Sequence, residues 1–209
     1  MNYRNLIILF FCQLISSTGQ LVVVTLGGII GSSLTGSQSI ATLPVSLMVV
    51  VTALTAIPAT MLMRRIGRKY GSAIASLSAA IAVLLSAYAI KSQSFILFVL
   101  SAAMFGINAA FSQQYRYAAA ESVNQEFVSR SISLILLGAI GGAMLGPELV
   151  TRGQFWINDI QYAGTLISLA LLFVIQAILL LSLGDFSINQ DGNDKTSGRK
   201  LSIISKQRV

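Results

Sequence analysis

The chain has 209 residues, of which 55% are hydrophobic and only 10% charged, against about 25% charged in an ordinary soluble domain. So few charges cannot clothe a water-soluble globule of this size. There is no histidine and one cysteine, Cys12. Histidine-based triads, metal sites and proton shuttles are therefore excluded, as are an intrachain disulfide and a cysteine zinc cluster. Net charge is +7, and its meaning depends on where the charges fall.

Crossing hydrocarbon about 30 Å thick takes roughly 20 apolar residues in a helix. Six stretches meet that need. The first spans Leu6 to Ile30, within a run from Leu6 to Met63 that contains no Asp, Glu, Lys or Arg. It has a basic start, like a signal peptide. It is too long for one, however, and lacks a small-x-small cleavage site, so it reads as a retained span. A turn of Gly31, Ser32, Ser33, Gly36 and Ser37 follows. The second span covers Ile40 to Met63, the third Tyr70 to Ile90, the fourth Phe95 to Tyr117, the fifth Ser131 to Val150 and the sixth Ile160 to Leu183. None alternates with period two, and all are too long for barrel strands. The expected fold is an all-α six-helix membrane bundle over residues 1–186, followed by a basic tail over 187–209.

Lys and Arg placement sets the orientation. If the N-terminus is inside, the inner segments hold Arg4, Arg64, Arg65, Arg68, Lys69, Arg116, Arg130, Lys195, Arg199, Lys200, Lys206 and Arg208. The outer segments hold only Lys91 and Arg152. Both ends are thus expected in the cytoplasm, with the bundle in the cell (inner) membrane. This asymmetry explains the positive charge without nucleic acid.

Gly67 lets the chain turn sharply between spans two and three. Around it, Arg64, Arg65, Arg68 and Lys69 can anchor to anionic headgroups or cap helix ends. Gln13 and Gln20, seven residues apart, share one face of the first helix. Interhelical hydrogen bonding and the lining of a polar cavity both fit them. Asn108 and Gln176 are further polar residues inside spans. Gln113, Gln114, Tyr115 and Arg116 cluster late in span four, where Arg116 either snorkels to the surface or faces a vestibule and contacts solute. Glu121 can pair with Arg65 or Arg68. Gly138, Gly142 and Gly146 form a stripe suited to close helix packing, and Pro147 removes a backbone donor and can kink the span. Glu148 is either a protonatable coupling group or an ion-pair partner of Arg152.

The segment Leu62–Lys69 resembles the loop signature of the major facilitator superfamily, Gly-x-Leu-x-Asp-Arg-x-Gly-Arg-Arg. Leu62, Arg65, Gly67, Arg68 and Lys69 match or nearly match. Thr60 stands in place of the first Gly, and Arg64 in place of an Asp that helps latch the two halves of family members. Gly142, Gly146 and Pro147 are similar to the antiporter pattern Gly-x-x-x-Gly-Pro-x-x-Gly-Gly, with Val150 and Thr151 replacing its last glycines. Ala102 lies near the place of a proton-linked Arg in the family's fourth span. The stretch from Gln113 to Ser122 looks like that of a bacterial subgroup of unassigned substrate.

The resemblance implies half of a facilitator fold, two inverted three-helix repeats, with the tail leading toward a seventh span. It implies a secondary transporter of a small solute working by alternating access, and a truncated or split N-terminal half. The implied partners are the bilayer, a small-molecule substrate and a second six-span half or second copy. No cofactor or metal is implied. The rival readings are a non-transporting accessory or scaffold protein and a degenerate fragment. The residues speak against an intramembrane enzyme, since its Ser–His pair and its clustered acids are both missing.

Overall fold

A computed structural model describes residues 3–36, 39–153 and 162–184. Its helices are α1 (Tyr3–Thr35), α2 (Leu43–Ile66), α3 (Arg68–Lys91), α4 (Phe95–Ser112), α5 (Tyr115–Glu121), α6 (Val128–Gly153) and α7 (Ala163–Leu181), with a 3-10 turn at Gln125–Phe127 leading into α6. No strand occurs among the described residues. There, six helical spans are long and apolar enough to cross a membrane, α4 and α5 counting as one. The basic tail over 187–209 and the expected start of span six at Ile160 lie outside the described residues.

Two boundaries differ from the sequence expectation. The turn expected from Gly31 begins instead after Thr35. Ser32, Ser33 and Thr35 send their hydroxyls back to the carbonyls of Ile29, Ile30 and Gly31 at 2.8, 2.9 and 2.8 Å. Their polarity is thus satisfied within the helix, which continues. Gly31 serves close packing rather than turning: a Cβ there would lie 2.2 Å from the carbonyl oxygen of Ala41. Span four is also not one helix. It breaks at Gln113–Gln114, where Gln114 N–H bonds Phe111 O at 3.0 Å and Tyr117 N–H bonds Gln114 O at 3.1 Å. These tightened turns re-aim the chain before α5.

The helices alternate between two ends. At one end the turn at Gly67 joins α2 to α3. There Arg4 donates to Ser182 O (3.4 Å), and Asn5 exchanges bonds with Gly184 (3.4 and 3.2 Å). Arg64, Arg65, Arg68 and Lys69 belong to this basic end. At the opposite end, Ser94 caps α4 by accepting from Leu97 N–H.

α1 packs along α6, α2 along α4, and α3 along α7. Exchanging the first three spans with the last three turns the α1–α6 pair into the α4–α2 pair and leaves α3–α7 in place. This is the pattern of two inverted three-helix repeats. Each middle span also carries an interior proline, Pro58 and Pro147, about two turns from its end.

Large side chains fill the centre. Phe105 and Phe173 meet edge to face, with centroids 5.5 Å apart. Gly19 makes room for both rings: a Cβ there would lie 2.6 Å from Phe173. A second cluster near the basic end gathers Leu9, Cys12, Tyr115, Ala119, Ile135 and Leu180. Ile74, Ile81, Ile167, Leu171 and Ile178 point outward and exposed. Outward apolar side chains suit a bundle whose solvent is hydrocarbon.

Candidate functional site

The polar residues of α1 form a strip because their spacing follows the helix period. Gln13 donates to Ser17 Oγ at 3.1 Å within α1. About two turns on from Gln13, Gln20 crosses to α4 and donates to Ser112 Oγ at 3.1 Å, while Ser112 donates to Ala109 O at 2.9 Å. Gln13 and Gln20 are each half-buried. Of the two roles open to them, Gln20 carries an interhelical bond, and Gln13 stays within its own helix. Asn108 sits one turn before Ser112 and is fully buried. Neither atom of its amide has a partner among the described residues. Burying an unpaired amide is costly, which sets Asn108 apart from the satisfied Gln20. Gln20 and Asn108 lie near the middles of spans one and four.

A second polar group gave little signal in the sequence. Gln176 of α7 donates to Ser16 Oγ and to Tyr115 Oη, both at 2.9 Å. All three side chains are buried. The knot ties α1, α5 and α7 just beyond the break in span four. Gln176 was visible as a polar residue in an apolar run and Tyr115 as part of the polar cluster late in span four, but Ser16 was indistinguishable from a packing residue.

The glycine stripe lies on α1. A Cβ at Gly138 would meet Phe10 O at 2.8 Å, one at Gly142 would meet Leu14 O at 2.2 Å, and one at Gly146 would meet Leu21 Cβ at 2.7 Å. Backbone touches backbone along two turns of helix, as close small-residue packing allows. Pro147 sits inside α6, which runs on to Gly153.

At the basic end, Gly67 adopts φ +87°, closed to most side chains, and links α2 directly to α3. Arg68, the first residue of α3, forms an ion pair with Glu121 at the end of α5. Of the two arginines open to Glu121, the pair falls to Arg68; Arg65 is exposed. Gln114 joins Arg64, Arg68, Tyr117 and Glu121 around a cleft of about 670 Å³. Arg116 and Gln113 point elsewhere. Arg116 is exposed, its guanidinium 5.2 Å from the Tyr117 ring centroid, and Gln113 is exposed as well. The structure therefore separates the sequence candidates into a mid-span strip (Gln13, Gln20, Asn108), a basic-end group (Gln114, Arg68, Glu121 and the Gly67 turn) and a packing seam. Lys69 lies 5.8 Å from the Tyr70 ring centroid. Glu148 pairs with Arg152 at 2.6 Å, and both are more than half exposed.

The family model described as Major Facilitator Superfamily matches residues 8–204. The chain belongs to the Major Facilitator Superfamily. Its relatives include a riboflavin transporter of Brucella anthropi, 32% identical over 96% of this chain and 51% of that protein. Two Bacillus subtilis proteins described as MFS-type transporters, YddS and YdeG, are 29% and 28% identical, each over 85% of this chain and 42% of its relative. The chain spans about half the length of the curated relatives it matches. Family and six apolar spans together make it a multi-pass membrane protein.

Proposed function

We propose that the chain is the N-terminal six-span half of a secondary transporter that moves a small solute by alternating access. The basic end, with both ends of the bundle, faces the cytoplasm across the cell membrane. A second six-span half, or a second copy, supplies the other wall of the path. Gln13 and Gln20, half-buried on α1, form this half's share of the solute-binding surface, with buried Ser112 holding Gln20 in place. The turn around Gly67, with the Arg68–Glu121 pair, gates its inner mouth.

The observation that carries this reading is the half-buried amide of Gln20 at mid-span, fixed by its bond to Ser112 Oγ. In a family that binds solutes between its halves at the membrane midplane, that is where recognition groups belong. The groups are neutral amides and hydroxyls, and the first two spans carry no formal charge from Leu6 to Met63. They suit an uncharged solute with alternating donor and acceptor edges. Riboflavin, the solute named for the Brucella anthropi relative, has such a ring and is the first to test.

The test is riboflavin uptake into proteoliposomes by the chain alone and by the chain combined with a separately supplied second half. Uptake is expected from the combination, and Gln20→Ala is expected to lower it while folded yield holds. Equal loss of uptake and yield would make Gln20 structural. No uptake of riboflavin or of other neutral heterocycles by either preparation would favour an accessory protein.

A further inference from the structure

We propose that the cleft at the basic end, between α2, the start of α3 and the stretch from Gln114 to Glu121, binds the phosphate group of an anionic phospholipid. The cleft measures about 670 Å³ and is lined by Thr60, Met61, Met63, Arg64, Arg68, Gln114, Tyr117 and Glu121. Its charges are unbalanced. Glu121 is the one carboxylate in the lining, and it is taken by Arg68. Arg64 has no ion-pair partner among the described residues. A guanidinium without a carboxylate, beside one whose fork still has N–H groups to spare, is suited to phosphate oxygens.

The helix ends add to the imbalance. The first turn of α3 carries Arg68 and Lys69, contains no acidic residue and has no side-chain cap. Cations there sit on the positive end of the helix dipole, with unbonded backbone N–H groups beside them. Glu121 and the carbonyl end of α2, whose last turn carries Arg64 and Arg65, offset part of this. A second anion in the cleft would relieve the repulsion and use the free donors. Gln114 and Tyr117 bring an amide and a hydroxyl to the same rim.

Depth and wall chemistry select the lipid. Arg64 lies two residues before the end of α2, and Arg68 opens α3, so both guanidiniums sit where a span leaves hydrocarbon for headgroups. Exposed Met61 gives the cleft an apolar rim, while Met63, buried against Phe111, closes its floor; an apolar rim suits the glycerol and upper acyl chain of a lipid and does nothing for a free ion. Basic pockets between spans at this depth bind anionic headgroups. The site also gives a use to Arg64, the residue that departs most from the family's loop signature. The inference needs the spans to cross a bilayer but does not need the chain to transport.

The experiment is native mass spectrometry of the purified 209-residue chain, released from neutral detergent carrying equal phosphatidylglycerol and phosphatidylcholine. The variants are Arg64→Gln, Tyr117→Phe and, as a control at the same end outside the cleft, Arg130→Gln. Wild type is expected to retain phosphatidylglycerol over phosphatidylcholine, and Arg64→Gln to lower that preference about fivefold. Tyr117→Phe should give a smaller loss and provides the reading if Arg64→Gln fails to accumulate. Arg130→Gln should match wild type. Equal loss in Arg64→Gln and Arg130→Gln would reveal a diffuse basic belt and overturn the proposal, as would unchanged preference in the cleft variants. A parallel thermal-unfolding series compares potassium phosphate with chloride at matched ionic strength. Protection by phosphate that vanishes in Arg64→Gln, without any phosphatidylglycerol preference, would assign the cleft to free phosphate and overturn the lipid occupant.

Discussion

Two seams in this bundle are equivalent by its internal symmetry and unlike in chemistry. Along α1–α6, the glycines 138, 142 and 146 lay one backbone on another, and the added Cβ at Gly142 would stand 2.2 Å from Leu14 O. Along α2–α4, one glycine does this work: a Cβ at Gly106 would meet Met48 O at 2.5 Å. A side chain supplies the rest, with Thr52 Oγ1 2.7 Å from Met48 O and 3.1 Å from Gly106 O. The inverted repeat therefore constrains how helices approach and leaves open which residues permit it. One seam depends on missing side chains over two turns. The other depends on a single close point and a hydroxyl that bridges it.

The difference can be broken most forcefully at Gly142. Gly142→Ala is expected to cost about 3 kcal/mol, read as a loss of folded yield and of thermal midpoint in detergent. Its neighbour Gly141, which has only Leu14 Cδ1 at 3.6 Å, should accept alanine with little change. Equal damage at both would mean that the seam is not the cause. Gly106→Ala should cost less than Gly142→Ala, about 2 kcal/mol, since its nearest backbone atoms stand at 2.5 and 3.3 Å against 2.2 and 2.9 Å at Gly142. Thr52→Val then sharpens the comparison, removing the bridging hydroxyl for about 1 kcal/mol or less. A larger cost at Thr52 than at Gly106 would reverse the account of that seam.

Smaller effects belong to the basic end. Arg68 and Glu121 should couple by up to about 1 kcal/mol in a double-mutant cycle, weakening as salt rises. Arg65 and Glu121 should show no coupling. The smallest effect is expected for Glu148 and Arg152, an exposed pair within one helix, where the cycle should give about 0.5 kcal/mol or less.

Much of this arrangement is legible in the sequence, and what is not follows a rule. Charge-free runs and basic turns gave six spans, because hydrocarbon excludes charge regardless of neighbours. The Gly138–Gly142–Gly146 period gave a face for close packing, because period is a property of a single helix. That α1 is the helix it meets was not legible, since nothing in a helix's own residues states the azimuth of its neighbours. The same limit hid the choice of Arg68 over Arg65 by Glu121, and the union of Ser16, Tyr115 and Gln176. The break at Gln113–Gln114 escaped for another reason. Apolarity continues through Ser112, and two glutamines are ordinary helix formers. The turn after Gly31 was misread because serine and threonine serve as turn residues in water and as self-bonding helix residues in apolar surroundings.

The bonds between Asn5 and Gly184, with Arg4 reaching Ser182, bring the first and last turns of the bundle side by side. Geometrically the six passes form a closed circuit with one opening. A short linker bridging that opening would let the circuit be cut instead near Asn124, on the same side of the bundle. The rearranged polypeptide would then make its six crossings in the order five, six, one, two, three, four while keeping every helix beside its present neighbours.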